Sequence, residues 1–208
     1  MKSMWKFVIT GGPCGGKTSV IKALQCKFAG QVAFVGEMAT ALLDVFPLPH
    51  RDVVFSSDWL YQFQSVVYAA QVGAEVAWLA SPYEVMICDR GRLDGAAYLG
   101  NKEVFCRLVG ESESAMLAAY DWVFHLESLA VQCPDRYLAL KAGNSNRYES
   151  VEEAQKVDTA LKEAWSGHVN RLVLSGQDDL ESKIQLIRQV IADHLAQPQG
   201  DLTNVCHY

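Results

Sequence analysis

Residues 7–18 read FVITGGPCGGKT, an apolar run followed by four glycines, a lysine and a threonine. From Gly11 onward the spacing is G-x-x-x-x-G-K-T, a pattern typical of loops that bind polyphosphates. Such a loop turns its amide N–H groups towards the anion, and glycines keep the backbone open for it. A helix-compatible segment, residues 19–28, would point the positive end of its dipole at the same anion. The stretch therefore predicts a strand, a phosphate-binding loop and a helix.

The residues of this loop are expected to hold a nucleoside triphosphate. Lys17 is long enough to reach the β- and γ-phosphates, and the hydroxyl of Thr18 is a candidate ligand of Mg²⁺. ATP and Mg²⁺ are therefore the predicted cofactors. The predicted nucleotide-binding residues are Gly11, Gly12, Pro13, Cys14, Gly15, Gly16, Lys17, Thr18 and Ser19.

The composition is that of a globular protein, with half of the 208 residues apolar and 20% charged. A net charge of −6 argues against a general nucleic-acid binder, because affinity for a phosphate backbone comes from clustered Lys and Arg. No apolar run is long enough to cross a bilayer, so no membrane partner is expected. The six cysteines show no metal-ligand spacing. We therefore expect reduced thiols and a cytoplasmic location without a signal peptide.

Five short apolar runs alternate with helical patterns along the chain. This alternation predicts an α/β protein of the P-loop NTPase fold, with a five-stranded parallel sheet and helices on both faces. Ser150 and Glu153 form a capping box that opens a late helix. We expect one domain over residues 1–197 with a lid at about 128–149, and a flexible tail at 198–208. The predicted strands are residues 5–10, 31–36, 84–88, 121–126 and 171–174.

Polar residues follow the predicted strands at the edge of the sheet where parallel α/β proteins bind ligands. Asp89 ends an apolar strand that is expected beside the phosphate loop. It is therefore expected to contact Mg²⁺ directly or through water, or else to cap the next helix. Glu37 is placed to accept the proton of a substrate hydroxyl, or is an exposed loop carboxylate. Arg90 and Arg92 are candidates for binding a substrate phosphate, although a surface ion pair is an equal alternative for Arg92.

Further cations and amides are expected around the same cleft. Arg136 and Arg147 lie in the predicted lid, where they would close over the transferred phosphate, and Arg147 is the better candidate. Gln64, Gln71 and Glu75 on a long helix either face the cleft and read a base or are solvated. The predicted metal ligands are Thr18 and Asp89. The predicted catalytic residues are Lys17, Glu37, Asp89, Arg90 and Arg147.

Two classes of nucleotide-binding protein are disfavoured. Motor-type ATPases and helicases usually place a water-activating Glu after the strand-terminal Asp, and here Arg90 follows Asp89. Guanine-specific GTPases read the base with N/T-K-x-D, and the nearest string, residues 101–104, lacks the Asp. Phosphoryl transfer to a second substrate remains, which requires a positioned acceptor oxygen, cations and exclusion of water.

The segments at residues 8–18, 36–37 and 88–99 (CDRGRLDGAAYL) resemble a P-loop ATPase/kinase-like (AAA-domain) family. This family is related to the nicotinamide riboside kinase domain and includes the nucleotide-binding part of the TRPL translocation defect protein. The likeness extends to about Ile191. More distantly the chain resembles thymidylate and deoxynucleoside kinases, which implies an acceptor site at Glu37 and Arg90 and a lid containing Arg147. Met38 stands where those kinases usually have a proline.

The leading hypothesis is an ATP- and Mg²⁺-dependent kinase of a small molecule such as a nucleoside, a nucleotide or a related metabolite. An alternative is a nucleotide-bound switch or interaction module, with slow or no turnover, whose lid closure engages a protein partner. A plain ATP hydrolase is the third reading. The expected partners are a nucleoside triphosphate and a small-molecule acceptor, and a homodimer is compatible with the sequence.

Overall fold

Five parallel strands form the sheet of the computed structural model, which describes residues 4–45, 57–142 and 150–196. Hydrogen bonding places them in the order β2-β3-β1-β4-β5, so the strand before the phosphate loop has β3 and β4 as neighbours. The predicted five-stranded parallel sheet is thus confirmed. The strands are β1 (Trp5–Thr10), β2 (Ala33–Val35), β3 (Val85–Asp89), β4 (Trp122–Leu126) and β5 (Arg171–Leu174).

Helices cover both faces of the sheet, as predicted. The expected capping box is present at the start of α9, where Ser150 and Glu153 bond each other's backbone amides. None of the helices in the described ranges is both long and apolar enough to span a membrane. The helices are α1 (Lys17–Lys27), α2 (Met38–Val45), α3 (Ser57–Trp78), α4 (Asp94–Leu99), α5 (Lys102–Val109), α6 (Glu113–Ala118), α7 (Leu129–Gln132), α8 (Pro134–Ala142), α9 (Val151–Ala164) and α10 (Leu180–Ala196).

The sheet has a hydrophobic core on each face because alternate side chains of a strand point in opposite directions. In β1, Phe7 and Ile9 pack into one core with α1 and α10, whereas Val8 packs into the other with Leu93 and Trp165. All three β1 side chains are fully buried. A continuous apolar run of this kind is what a strand covered on both sides requires.

The predicted lid at residues 128–149 contains two helices, α7 and α8, in its described part. Tyr137 of α8 is fully buried against Ala130 and Ala154, so this part of the segment packs onto α9. Residues 143–149, which include Arg147, lie outside the described residues, and so do residue 197 and the predicted tail at residues 198–208.

Candidate functional site

The phosphate loop lies between the C-terminal end of β1 and the first residue of α1. Gly16 precedes the helix at φ 94°, a left-handed conformation that favours glycine. The loop also packs tightly on the end of β4. A Cβ atom at Gly11 would lie 2.0 Å from the carbonyl oxygen of Leu126, and one at Gly15 would lie 2.4 Å from it. The glycines are therefore needed for packing beneath the loop as well as for an open backbone above it.

Lys17 folds back over this loop. Its Nζ donates to the carbonyl oxygens of Gly11 and Gly12, each at 2.7 Å. Burial, and after it the Arg90 guanidinium, lowers the pKa of Lys17 to about 7. The next residue, Thr18, is exposed at the start of α1. The Lys17 amino group is therefore held on the loop, and Thr18 follows it in the first turn of α1.

Asp89 ends β3 next to the loop, because β3 pairs with β1 and Asp89 lies opposite Ile9. This is the neighbour relation that the sequence predicted. Burial, and after it the nearby Glu37 carboxylate, raises the pKa of Asp89 to about 6. A carboxylate and a hydroxyl are the hard oxygen donors that suit Mg²⁺, which usually takes one or two carboxylates plus phosphate oxygens. Within the described ranges no group of three His, Cys, Asp or Glu side chains could hold a metal ion.

Arg90 connects the phosphate loop to the carboxylates of Glu37 and Asp94. Its Nε donates to Glu37 Oε1 at 3.1 Å, and its Nη1 donates to both the Gly11 carbonyl and Asp94 Oδ2 at 3.3 Å. Arg90 has φ 78°, an unfavourable conformation for a side chain larger than glycine, and its amide is held by the Ile9 carbonyl. Lys17, Glu37, Asp89 and Arg90 are thus brought together around one loop. Arg147 is not described.

Asp94 belongs to this cluster, although no sequence motif singles it out. It is 5% exposed and accepts hydrogen bonds from the Thr10 hydroxyl and from Trp165 Nε1, both at 2.7 Å. The two donors are 84 and 71 residues away in the chain, so no local spacing reveals the contact. Burial alone would raise the pKa of Glu37, but Arg90 and the hydroxyl of Thr40 hold it below the ordinary value.

A cavity of about 320 Å³ adjoins Glu37 and Arg90. Gln64 lines it and is 6% exposed, and no side-chain hydrogen bond joins Gln64 to another described residue. Trp59 and Phe63 are stacked with ring centroids 4.9 Å apart. The lining of the cavity therefore combines aromatic walls with the amides of Gln64 and Gln71 and with charged groups that include Glu37 and Arg90. Its aromatic lining comes from α3, α4 and α5 and comprises Trp59, Phe63, Tyr68, Tyr98 and Phe105.

On the lining of the cavity, Arg92 is bound by carboxylates. Its Nη2 lies 2.8 Å from Glu75 Oε2 and its Nη1 lies 3.4 Å from Glu111 Oε1. Arg92 is therefore in ion pairs, but its side chain is only 12% exposed and that of Glu75 is fully buried, so the pair with Glu75 is not the surface ion pair that was the alternative. Gln64, Gln71 and Glu75 are all buried, and the interpretation of them as solvated helix residues was wrong. Gln71 donates to Glu75 Oε1 at 3.0 Å and to the Arg90 carbonyl at 3.4 Å, so these two side chains are held by polar contacts inside the protein.

Three comparisons relate the chain to known proteins. No curated protein matches it. Among solved structures, deoxyadenosine kinase from M. mycoides, determined with the products dCMP and a flexible dCDP bound, is similar with a TM-score of 0.63. The match has 17% sequence identity and covers 90% of this chain and 99% of the kinase chain. This likeness shows a shared fold, that of the P-loop NTPases.

A family model described as an AAA domain matches residues 6–183. The matched part contains the phosphate loop, Glu37, Asp89, Arg90 and the aromatic cavity. Because it covers most of the 208 residues, the chain belongs to this AAA-domain family of P-loop, kinase-like proteins.

Proposed function

We propose that this protein is an ATP- and Mg²⁺-dependent kinase that phosphorylates a small molecule of the nucleoside, nucleotide or related metabolite class. The observation that carries the proposal is the position of Arg90, which contacts a phosphate-loop carbonyl on one side and Glu37 at the mouth of an aromatic cavity on the other. A donor site and an acceptor site therefore share one side chain. The fold shared with a kinase solved with deoxynucleotides supports the same reading.

The donor side would bind the triphosphate through backbone amides of the loop. Lys17 would exchange its two carbonyl partners for phosphate oxygens, an exchange that strengthens its bonds because both partners are then charged. Thr18 and Asp89 would hold Mg²⁺, which neutralises charge on the phosphates when bound. We expect ATP to be the triphosphate.

The acceptor side would place a hydroxyl beside Glu37. This carboxylate keeps a low pKa through Arg90 and Thr40, so it is ionised near neutral pH and able to receive the hydroxyl proton as transfer proceeds. Arg90 would balance charge between the donor and acceptor sites. Both groups are partly buried, which limits access of water as a competing acceptor.

The cavity suits an acceptor with a flat ring. Aromatic walls favour stacking, and the Gln64 amide offers donors and an acceptor to the edge of a heterocycle. The two guanidinium groups that line the cavity, those of Arg90 and Arg92, already contact Glu37, Asp94 and Glu75. An uncharged acceptor would enter without breaking these ion pairs, whereas an acceptor phosphate would have to compete with the carboxylates. Within the proposed class we therefore favour a nucleoside.

The test is consumption of ATP with Mg²⁺ against a panel of nucleosides, nucleoside monophosphates and nicotinamide riboside. We expect one nucleoside to accelerate turnover and to be recovered with a phosphate attached. ATP binding without acceleration by any acceptor would favour the nucleotide-bound switch, and equal turnover with and without acceptors would favour a hydrolase. Lys17→Ala should lose nucleotide binding, whereas the exposed Lys22→Ala on the same helix should retain it.

A further inference from the structure

A buried carboxylate from α9 holds the underside of the phosphate loop. Asp158 is fully buried, and its Oδ1 accepts from the backbone amide of Gly12 at 3.0 Å and from that of Ser128 at 2.9 Å. The same oxygen lies 3.0 Å from Nε2 of His125, a buried residue of β4. Asp158 therefore joins the loop, the end of β4 and α9 at one atom.

The contact between Asp158 and Gly12 is close enough to dictate the loop residue. A Cβ atom at Gly12 would lie 2.7 Å from Oδ1 and 2.8 Å from Cβ of Asp158. It would also lie 2.9 Å from Cβ of Ser128. Glycine at position 12 thus makes room for the Asp158 carboxylate beneath the loop. From the sequence, this glycine was expected only to expose the loop backbone to a ligand.

The surroundings of Asp158 keep it ionised. Burial alone would raise its pKa, but the hydrogen bond and charge of His125, the Ser128 amide and the charge on Lys162 together lower it. Lys162 Nζ lies 3.2 Å from Oδ2 and 2.7 Å from Glu127 Oε1. A buried charge is retained only where such partners compensate its lost hydration. Oδ1 is therefore a charged anchor for a backbone amide, whereas Oδ2 has the ion pair with Lys162 but no hydrogen bond within the described residues.

We propose that Asp158 is a positioning residue that fixes the first turn of the phosphate loop and thereby raises its affinity for the nucleotide. The inference rests on the proposed function, since it concerns how the loop is prepared for a triphosphate. Gly12 is held from below, so the loop does not need to be ordered when the ligand binds. The anchor also makes nucleotide affinity depend on α9, which follows the predicted lid in the chain.

Asp158→Asn tests this inference, because it keeps the shape of the side chain and removes the charge. The first readout is hydrogen exchange at the Gly12 amide in the nucleotide-free protein, which we expect to become at least tenfold faster. The second is the Kd for Mg–ATP, which we expect to rise at least tenfold. Glu152→Gln, an exposed change on the same helix, should alter neither value.

Two further variants separate positioning from general loss of stability. Met116→Ala, which truncates a fully buried side chain of α6 in the hydrophobic core, should lower the Tm without changing the Kd for Mg–ATP. His125→Leu removes one donor to Oδ1 and should shift exchange and affinity in the direction of Asp158→Asn, by less. If Asp158→Asn does not fold, the Gly12 exchange rate and the Kd for Mg–ATP of this variant provide the test of the inference.

Unchanged Gly12 exchange in the folded variants would overturn the inference whatever the nucleotide result. Faster exchange with an unchanged Kd would overturn the link to affinity. If the wild-type protein itself binds no Mg–ATP, the proposed function fails, and the exchange measurement still reports on whether Asp158 holds the loop.

Discussion

Glu75 lies at the centre of a buried charge cluster, and neutralising it should be strongly destabilising. The side chain is fully buried, and its Oε2 lies 2.8 Å from Arg92 Nη2 and 3.3 Å from Lys6 Nζ. Its Oε1 accepts from the Tyr120 hydroxyl and from Gln71 Nε2. Glu75→Gln keeps the volume but leaves two partly buried cations facing a neutral amide. The NH₂ group of the new amide would also face groups that donate hydrogen bonds to the carboxylate of Glu75 and would leave them without an acceptor.

The magnitude follows from these distances. At an effective dielectric constant of about 20, two unit charges about 3 Å apart attract each other by roughly 5 kcal/mol. Desolvation offsets part of this attraction, and removing one partner of a buried pair costs about 3–5 kcal/mol. For a chain of this length each kcal/mol lowers the Tm by about 2–4 °C, so Glu75→Gln should lower it by roughly 6–20 °C.

Thermal unfolding followed by circular dichroism measures this loss, with denaturant unfolding as a second measure of the free energy. The matched control is Glu103→Gln, an exposed carboxylate in the first turn of α5, which should change the free energy of unfolding by less than about 0.5 kcal/mol. A loss below about 1 kcal/mol for Glu75→Gln would refute the reasoning, because it would mean that the two cations do not depend on this carboxylate.

Three further predictions concern the cleft and the last helix. Glu37→Gln should slow phosphoryl transfer roughly 100-fold without weakening ATP binding, while the exposed Asp44→Asn should do neither. Equal losses of transfer and binding would contradict a role for Glu37 on the acceptor side. Gln64→Leu should raise KM for the acceptor roughly tenfold, and Gln62→Leu, on the exposed side of α3, should not; equal KM values would remove Gln64 from recognition. Lys183 is 5% exposed and has no ion pair with a described residue, and burial lowers its pKa from the ordinary 10.5. Between the lowered pKa and 10.5 the unfolded chain therefore binds more protons than the folded protein, so the free energy of unfolding rises as the pH approaches 10.5. Lys183→Met should therefore stabilise the protein by about 1 kcal/mol at pH 7 in denaturant unfolding and by less at higher pH, and an advantage independent of pH would contradict this.

The fold could be predicted from the sequence to a large extent because its signals are local. The limits of β1 and β5 agree with the apolar runs at residues 5–10 and 171–174, and the capping box of α9 was read from Ser150 and Glu153. The order of the strands was not predicted as a whole, since it depends on crossovers between segments far apart in the chain. The one neighbour relation inferred, β3 beside β1, was the reason for expecting Asp89 near the loop and its metal ion.

The candidate site also has a part that local sequence signals reveal and a part that depends on contacts between distant residues. The phosphate loop is contiguous, so a spacing rule finds it, and Glu37, Asp89 and Arg90 follow strands that end at one edge. Their roles in catalysis and metal binding stay predictions. Asp94 and Asp158 act through contacts across 84 and 146 residues, to Thr10 and Gly12, and only packing brings those pairs together. Asp94 is the first residue of α4 and Asp158 lies in the middle of α9, and neither position gives a local sign that the carboxylate is buried.

The contacts of the phosphate loop explain how it keeps an open shape without a ligand. The end of β4 supports it at Gly11 and Gly15, Asp158 holds the Gly12 amide, and Lys17 bonds two of its carbonyl groups. The supports from β4 and Asp158 lie beneath the loop and can stay in place when a triphosphate binds. Only the bonds of Lys17 must be exchanged, and a phosphate anion near its Nζ would raise the lowered pKa of that group. Binding would then take up a proton near pH 7, so calorimetric enthalpies should differ between buffers of different ionisation enthalpy. Lys17→Arg, whose guanidinium stays charged at this pH, should show no such difference wherever it still binds ATP.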